Sequence, residues 1–94
     1  MGKSTWKFLS SSGLVSERPI FLHAVILHLS VAGAHVTVYE GQDTSSGNVV
    51  GVFTAPSDHT ITIWADRVFL ARGCYVDLAA GVDYVTIEYS LNEE

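Results

Sequence analysis

A chain of 94 residues has room for one domain, and folding at that size buries only about 60% of the surface that the unfolded chain exposes. The single cysteine, Cys74, excludes an intrachain disulfide and any cysteine-built metal framework. A formal charge of -5, with only five basic residues scattered at Lys3, Lys7, Arg18, Arg67 and Arg72, excludes the basic patch that nucleic-acid binding needs.

The chain is 48% hydrophobic and only 16% charged, which leaves a small domain with much apolar surface and few charges to keep copies apart. Burial of part of that surface against other chains is therefore expected. The alternative is a sandwich that hides it between its own sheets. The start, MGKSTWKFLSSS, lacks the apolar core of a signal peptide, and Trp6 stands where a myristoylation signal needs Ser or Thr. The longest apolar run, Ile20 to Leu29, is too short to cross a bilayer and is interrupted by His23 and His28. A soluble protein made in a cytoplasm, with no membrane partner, is the expectation.

Residues 1–18 have no long periodicity and read as an extended N-terminal arm carrying one hydrophobic cluster, Trp6, Phe8 and Leu9. The other reading makes Thr5 to Leu9 a first strand filling the domain's own core. Pro19 suits the entry to a strand, where no ladder hydrogen bond is lost. Ile20 to Ser30 is apolar on both faces, with Leu22, Ala24 and Ile26 on one and His23, Val25, Leu27 and Leu29 on the other, as in a strand covered on both sides. Gly33 breaks the run. Ala34 to Glu40 alternates, Ala34, Val36 and Val38 inward. A polar loop, GQDTSSG, precedes a strand over Asn48 to Phe53 that contains Gly51, and APSD makes a turn. His59 to Ala65 alternates again, with Ile61 and Ile63 on one face and Thr60, Thr62 and Trp64 on the other. Asp66 to Leu70 is a short strand or an extended connection. After the Arg72-Gly73 turn, Cys74, Val76 and Leu78 share a face. After Ala80-Gly81, so do Val85, Ile87 and Tyr89.

Seven or eight strands, with turn signals every 8 to 12 residues or so, predict an all-β protein. The expected form is an antiparallel β-sandwich, jelly-roll-like, or a small barrel. The domain spans 19–91, behind the arm at 1–18 and before an acidic tail at 92–94.

No reactive constellation emerges. Gly2-Lys3-Ser4-Thr5 lacks the upstream glycine and strand of a phosphate-binding loop. His23 and His28 are expected on opposite strand faces, unable to chelate together, and His35 and His59 lie on other strands. Asp58-His59 has no serine in a Gly-x-Ser-x-Gly turn to serve. Cys74 reads as a small core residue. Glu40, Asp43, Asp58, Asp66, Asp77 and Asp83 sit near strand ends, where turn capping is commoner than Ca²⁺ binding. No cofactor, metal or catalytic residue is expected, and the protein is not expected to be an enzyme. Tyr39, Trp64, Tyr75 and Tyr84 point outward and suit either a sugar-stacking face or an oligomer interface.

The order HVTVYEG, a TSSG loop, APSDHTITIW, Arg72-Gly73-Cys74-Tyr75-Val76-Asp77 and YVTIEY resembles small β-sandwich virion proteins of tailed bacteriophages, of the capsid decoration or cement type. The resemblance covers Gly33 to Tyr89, with Cys74 where a small or apolar residue is usual. It implies a structural part of the virion: a homotrimer on the capsid surface, bound to the major capsid protein and stabilising the shell. Tail, connector and head-fibre parts, and with them a carbohydrate- or receptor-binding module, are the alternative it leaves open. Trp6, Phe8 and Leu9 are the candidate partner-binding residues, since a buried aromatic anchor often dominates an interface.

Overall fold

β-Branched and aromatic residues in period-2 runs, cut by glycine and small polar residues, give eight strands and no helix among the described residues. They are β1 (Ser4–Leu9), β2 (Gly13–Ser16), β3 (Ile20–Leu29), β4 (His35–Glu40), β5 (Asn48–Thr54), β6 (Thr60–Leu70), β7 (Cys74–Leu78) and β8 (Val82–Leu91). The computed structural model describes residues 4–31, 33–45, 47–54 and 60–91, and of Ile61 and Asp66 the backbone only. The turn expected at 55–58, His59 and the tail at 92–94 lie outside the described residues.

The strands form two antiparallel four-stranded sheets, ordered β1-β8-β3-β6 and β2-β7-β4-β5. Four of the pairings, β1 with β8, β2 with β7, β3 with β6 and β4 with β5, are those of one long hairpin with its tip near Gly41–Gly47. Pairing of β3 with β8 and of β4 with β7 then rolls that hairpin into two layers. This is the jelly-roll arrangement of a β-sandwich.

The core lies between the sheets. Leu22, Val25, Leu27 and Leu29 of β3 and Val85 and Ile87 of β8 meet Val36 and Val38 of β4 and Cys74 and Val76 of β7. Each such aliphatic side chain contributes roughly 1.5–3 kcal/mol on burial. Among the described residues no buried side-chain nitrogen or oxygen lacks a hydrogen-bond partner. The inward faces expected for β4 and β7 are the observed ones, and the shared face of Val85, Ile87 and Tyr89 in β8 is the one on the core.

The faces expected for β3 are corrected. Its pairing with β8 runs Leu22–Tyr89 and then Ala24–Glu88, leaving His23 as an extra residue. This bulge shifts the alternation, so Ile20 and Leu22 face the core before it and Val25, Leu27 and Leu29 after it. Ala24 and Ile26 move to the outer face, and His23 and His28 share that face instead of opposing one another.

The extended arm is also corrected: described from Ser4 onward, it is sheet. β1 pairs with β8 from Ser4–Ser90 to Leu9–Val85, and β2 pairs with β7. Ser12 fastens the link between them: its hydroxyl donates to Asp77 at 2.9 Å and accepts the Leu78 amide at 2.8 Å. The strand edges offered by β7 and β8 are unmet hydrogen-bonding groups, and the N-terminal residues satisfy them.

Cys74 is wholly buried, and burial pushes its thiol up to about 12. Ionisation begins near the ordinary value of 9.0 in the unfolded chain and only near 12 in the folded one. Stability from this group is thus complete below the lower value and declines as pH rises between the two, by on the order of 1 kcal/mol per pH unit. A disulfide reagent at pH 8 is expected to label the native thiol at least ~100-fold more slowly than the urea-unfolded one. Equal labelling rates would show that the thiol is accessible.

Candidate interaction face

Residues directly opposite one another on neighbouring strands share a face, so the register of the β1-β8-β3-β6 sheet gives the composition of its outer surface. One row across all four strands reads Trp6, Glu88, Ala24, Trp64. The row on one side reads Phe8, Thr86, Ile26, Thr62, and the row on the other Ser4, Ser90, Phe21, Phe69. Trp6 and Trp64, on the two edge strands, are 67% and 73% exposed, and Phe8 and Phe69 are about half exposed. Large aromatic rings facing water in this number mark a contact surface.

At one end of the face, Tyr84 lies 5.2 Å from both the Phe8 ring and the His28 ring, stacked on the latter. His28 Nδ1 is 2.7 Å from Thr60 Oγ1, and its Nε2 is 3.4 Å from Asp83 Oδ2. At the other end, Phe21 and Phe69 pack at 5.1 Å with the Arg67 guanidinium 4.3 Å from the Phe21 ring centre.

Between the two ends lies a trough of about 500 Å³ lined by Ser4, His23, Trp64, Arg67 and Glu88. Two irregularities build it. The β3 bulge projects His23, whose Nε2 is 2.9 Å from Ser90 Oγ. Opposite, three residues of β6, at 65–67, stand between the Leu22–Val68 and Ala24–Trp64 pairs, and Arg67 adopts φ 66°. A left-handed conformation is uncommon for a residue with a side chain, and such residues cluster at binding sites. Ala24 is fully covered yet stands apart from the core, between Glu88 and Trp64 in register. Ser4 Oγ donates to Glu88 Oε2 at 2.7 Å and fixes that carboxylate.

Of the three expected contact residues, Trp6 and Phe8 are on this face, whereas Leu9 turns inward and packs on the core. The four outward aromatics divide between two faces. Trp64 and Tyr84 lie here, and Tyr39 and Tyr75 pair at 6.4 Å on the other sheet. Three of the strand-end carboxylates are spent on structure: Glu40 accepts the Ala71 amide at 2.8 Å, Asp43 the Ser45 amide at 3.1 Å, and Asp77 the Ser12 hydroxyl, while Asp58 and the Asp66 side chain lie outside the described residues. Among the described residues no three His, Cys, Asp or Glu side chains converge as a metal site. His23, Arg67 and Glu88 gave no motif in the sequence. The signal that points to them is the break in apolar phase between Leu22 and Val25, which is the trace of the bulge.

The second exposed surface is β5, the last strand of its sheet, with no described strand on its far side. Its sequence, NVVGVFT, holds no charge, and Val49 and Val52 are each 59% exposed. Edge strands that remain in water are usually guarded by lysine, proline, brevity or a bulge, and β5 has only the last, a bulge at Val50 between its Val38–Gly51 and Tyr39–Val49 pairs. No protein family model, curated protein or solved structure matches the chain.

Proposed function

We propose that the chain is a structural protein of a bacteriophage virion, a capsid decoration protein that associates as a homotrimer and seats on a shell of major capsid protein. The observation that carries the assembly part is the uncharged, apolar β5 edge. A seven-residue strand with three exposed valines and only a bulge to guard it is a ready pairing surface for another chain. Trp6 and Phe8, exposed along the β1 edge, supply the anchors for the shell. The virion setting rests on the resemblance of the strand and turn pattern from Gly33 to Tyr89. The jelly roll suits it, being an architecture that capsid proteins use, although fold alone does not set function. A protein that binds the assembled shell and not its loosened form stabilises the shell by linkage.

Light scattering is expected to give three times the 10.2 kDa chain mass. Val49→Lys with Val52→Lys places two charges in the contact. The expected result is the single-chain mass with an unchanged far-ultraviolet spectrum. A wild-type protein that runs as a single chain at all concentrations refutes the assembly. Absence of the protein from purified virions refutes the setting.

A further inference from the structure

We infer that the trough on the outer face of the β1-β8-β3-β6 sheet is a binding site for one pyranose unit of a neutral glycan. A pyranose has an apolar face of C–H bonds and a rim of hydroxyls, each both donor and acceptor. The trough matches both. The Trp64 indole, 73% exposed on an edge strand, offers a broad aromatic surface whose negative ring face attracts C–H bonds. The rim of the trough carries the complementary polar set: the Glu88 carboxylate accepts, the Arg67 guanidinium donates, and His23 does either according to its tautomer.

These groups are held before any ligand arrives. Ser4 fixes Glu88, Ser90 fixes His23, and the Phe21 ring seats the Arg67 guanidinium. Held partners lose little entropy on binding. The volume of about 500 Å³ falls in the range of small-molecule sites and accommodates a sugar ring with its first shell of water.

The charges select a neutral sugar. One guanidinium stands beside one carboxylate in a chain of net charge -5, so a phosphate, sulfate or sialic acid meets Glu88 with no surplus of positive charge. A second depression, lined by Glu17, Gly41, Gln42, Asp43 and Arg72, also carries charged groups but no aromatic platform. The site extends beyond the assembly role proposed above and does not depend on it.

The test is a glycan array of neutral hexoses, N-acetylhexosamines and deoxyhexoses with sialylated and sulfated members, probed with the isolated full-length protein. Retention of at least one neutral glycan is expected. A Trp6→Phe background then leaves Trp64 as the sole tryptophan, and titration with that glycan is expected to shift its emission with a Kd below about 1 mM. Trp64→Ala is expected to weaken binding at least ~10-fold, and Glu88→Gln or Arg67→Met ~3-fold or more, while Thr62→Ala, on the same face but outside the trough, changes nothing. All four side chains are at the surface, and far-ultraviolet spectra check that each variant folds. Retention of no neutral glycan, retention of acidic glycans alone, or binding unaffected by Trp64→Ala overturns the site. Because no shell is present in the assay, failure here leaves the assembly reading standing, and failure of assembly leaves this one.

Discussion

Gly73→Ala is expected to destabilise the fold by about 3 kcal/mol, and Gly33→Ala by only about 1 kcal/mol, although both glycines have positive φ. Gly73 has φ 99° and Gly33 has φ 85°, so the left-handed conformation costs both substitutions a similar ~1 kcal/mol or somewhat more. The difference is space. A Cβ at Gly73 would come to 2.5 Å from the Ser16 carbonyl oxygen and 3.2 Å from Glu17 Cα, whereas a Cβ at Gly33 meets nothing within 4 Å. The obstacle at Gly73 is backbone, where β2 ends beside β7, and the same glycine's carbonyl accepts the Gly41 amide at 3.2 Å. The strand cannot retreat without losing that bond and the Cys74–Ser16 pairing. A domain of this size has about 5–10 kcal/mol in all, so the loss is large. Urea midpoints of the two variants measure it. Midpoints that coincide would show that the β2–β7 approach is looser than described.

Deletion of residues 1–12 is expected to cost several kcal/mol and to leave a protein that is largely unfolded at 37 °C. It removes a six-residue strand paired along its whole length with β8, the Leu9 side chain from the edge of the core, and both hydrogen bonds of Ser12. It also turns β8 from an interior strand into an unguarded edge. Loss of shell binding by such a truncated chain therefore says nothing about contact residues. Trp6→Ala with Phe8→Ala separates the two effects. Both side chains are mostly in water, so the fold should lose less than about 1 kcal/mol while shell binding falls at least ~10-fold. Co-sedimentation with shells, beside a thermal melt, reads both. Undiminished binding by the double variant would remove Trp6 and Phe8 from the contact.

The strands of this protein were legible wherever apolar and polar residues alternate in the sequence. In β4, β7 and β8 that alternation is direct, so residues such as Val36, Val76 and Ile87 declare their side. In β3 it fails, because Ile26 and Ala24 are also covered, and a strand apolar on both faces does not show where its phase slips. The single residue that makes the slip, His23, belongs to the trough. Arg67 escaped for a related reason: nothing in Ala65-Asp66-Arg67 announces that an arginine will take a left-handed conformation. The N-terminal strands were ambiguous because β1 is exposed from Ser4 to Phe8, and an edge strand with both sides in water has the composition of an arm. What tied Ser4 to Ser90 and Leu9 to Val85 was the opposite end of the chain, and a local pattern carries no trace of a partner so far away in sequence.

The rolled hairpin sets the order in which the chain can become structured. Among the described strands β1 has no neighbour except β8, and β8 stands between β1 and β3. β1 must wait for β8, and one sheet lacks an interior member until β8 has been made. Such distant closure is slow, and during the delay β3 offers ten largely apolar residues to any passing chain. Nascent copies made side by side would find each other in that interval. Expression at low temperature or with slowed initiation should therefore raise the yield of soluble protein more than any change to its finished surface.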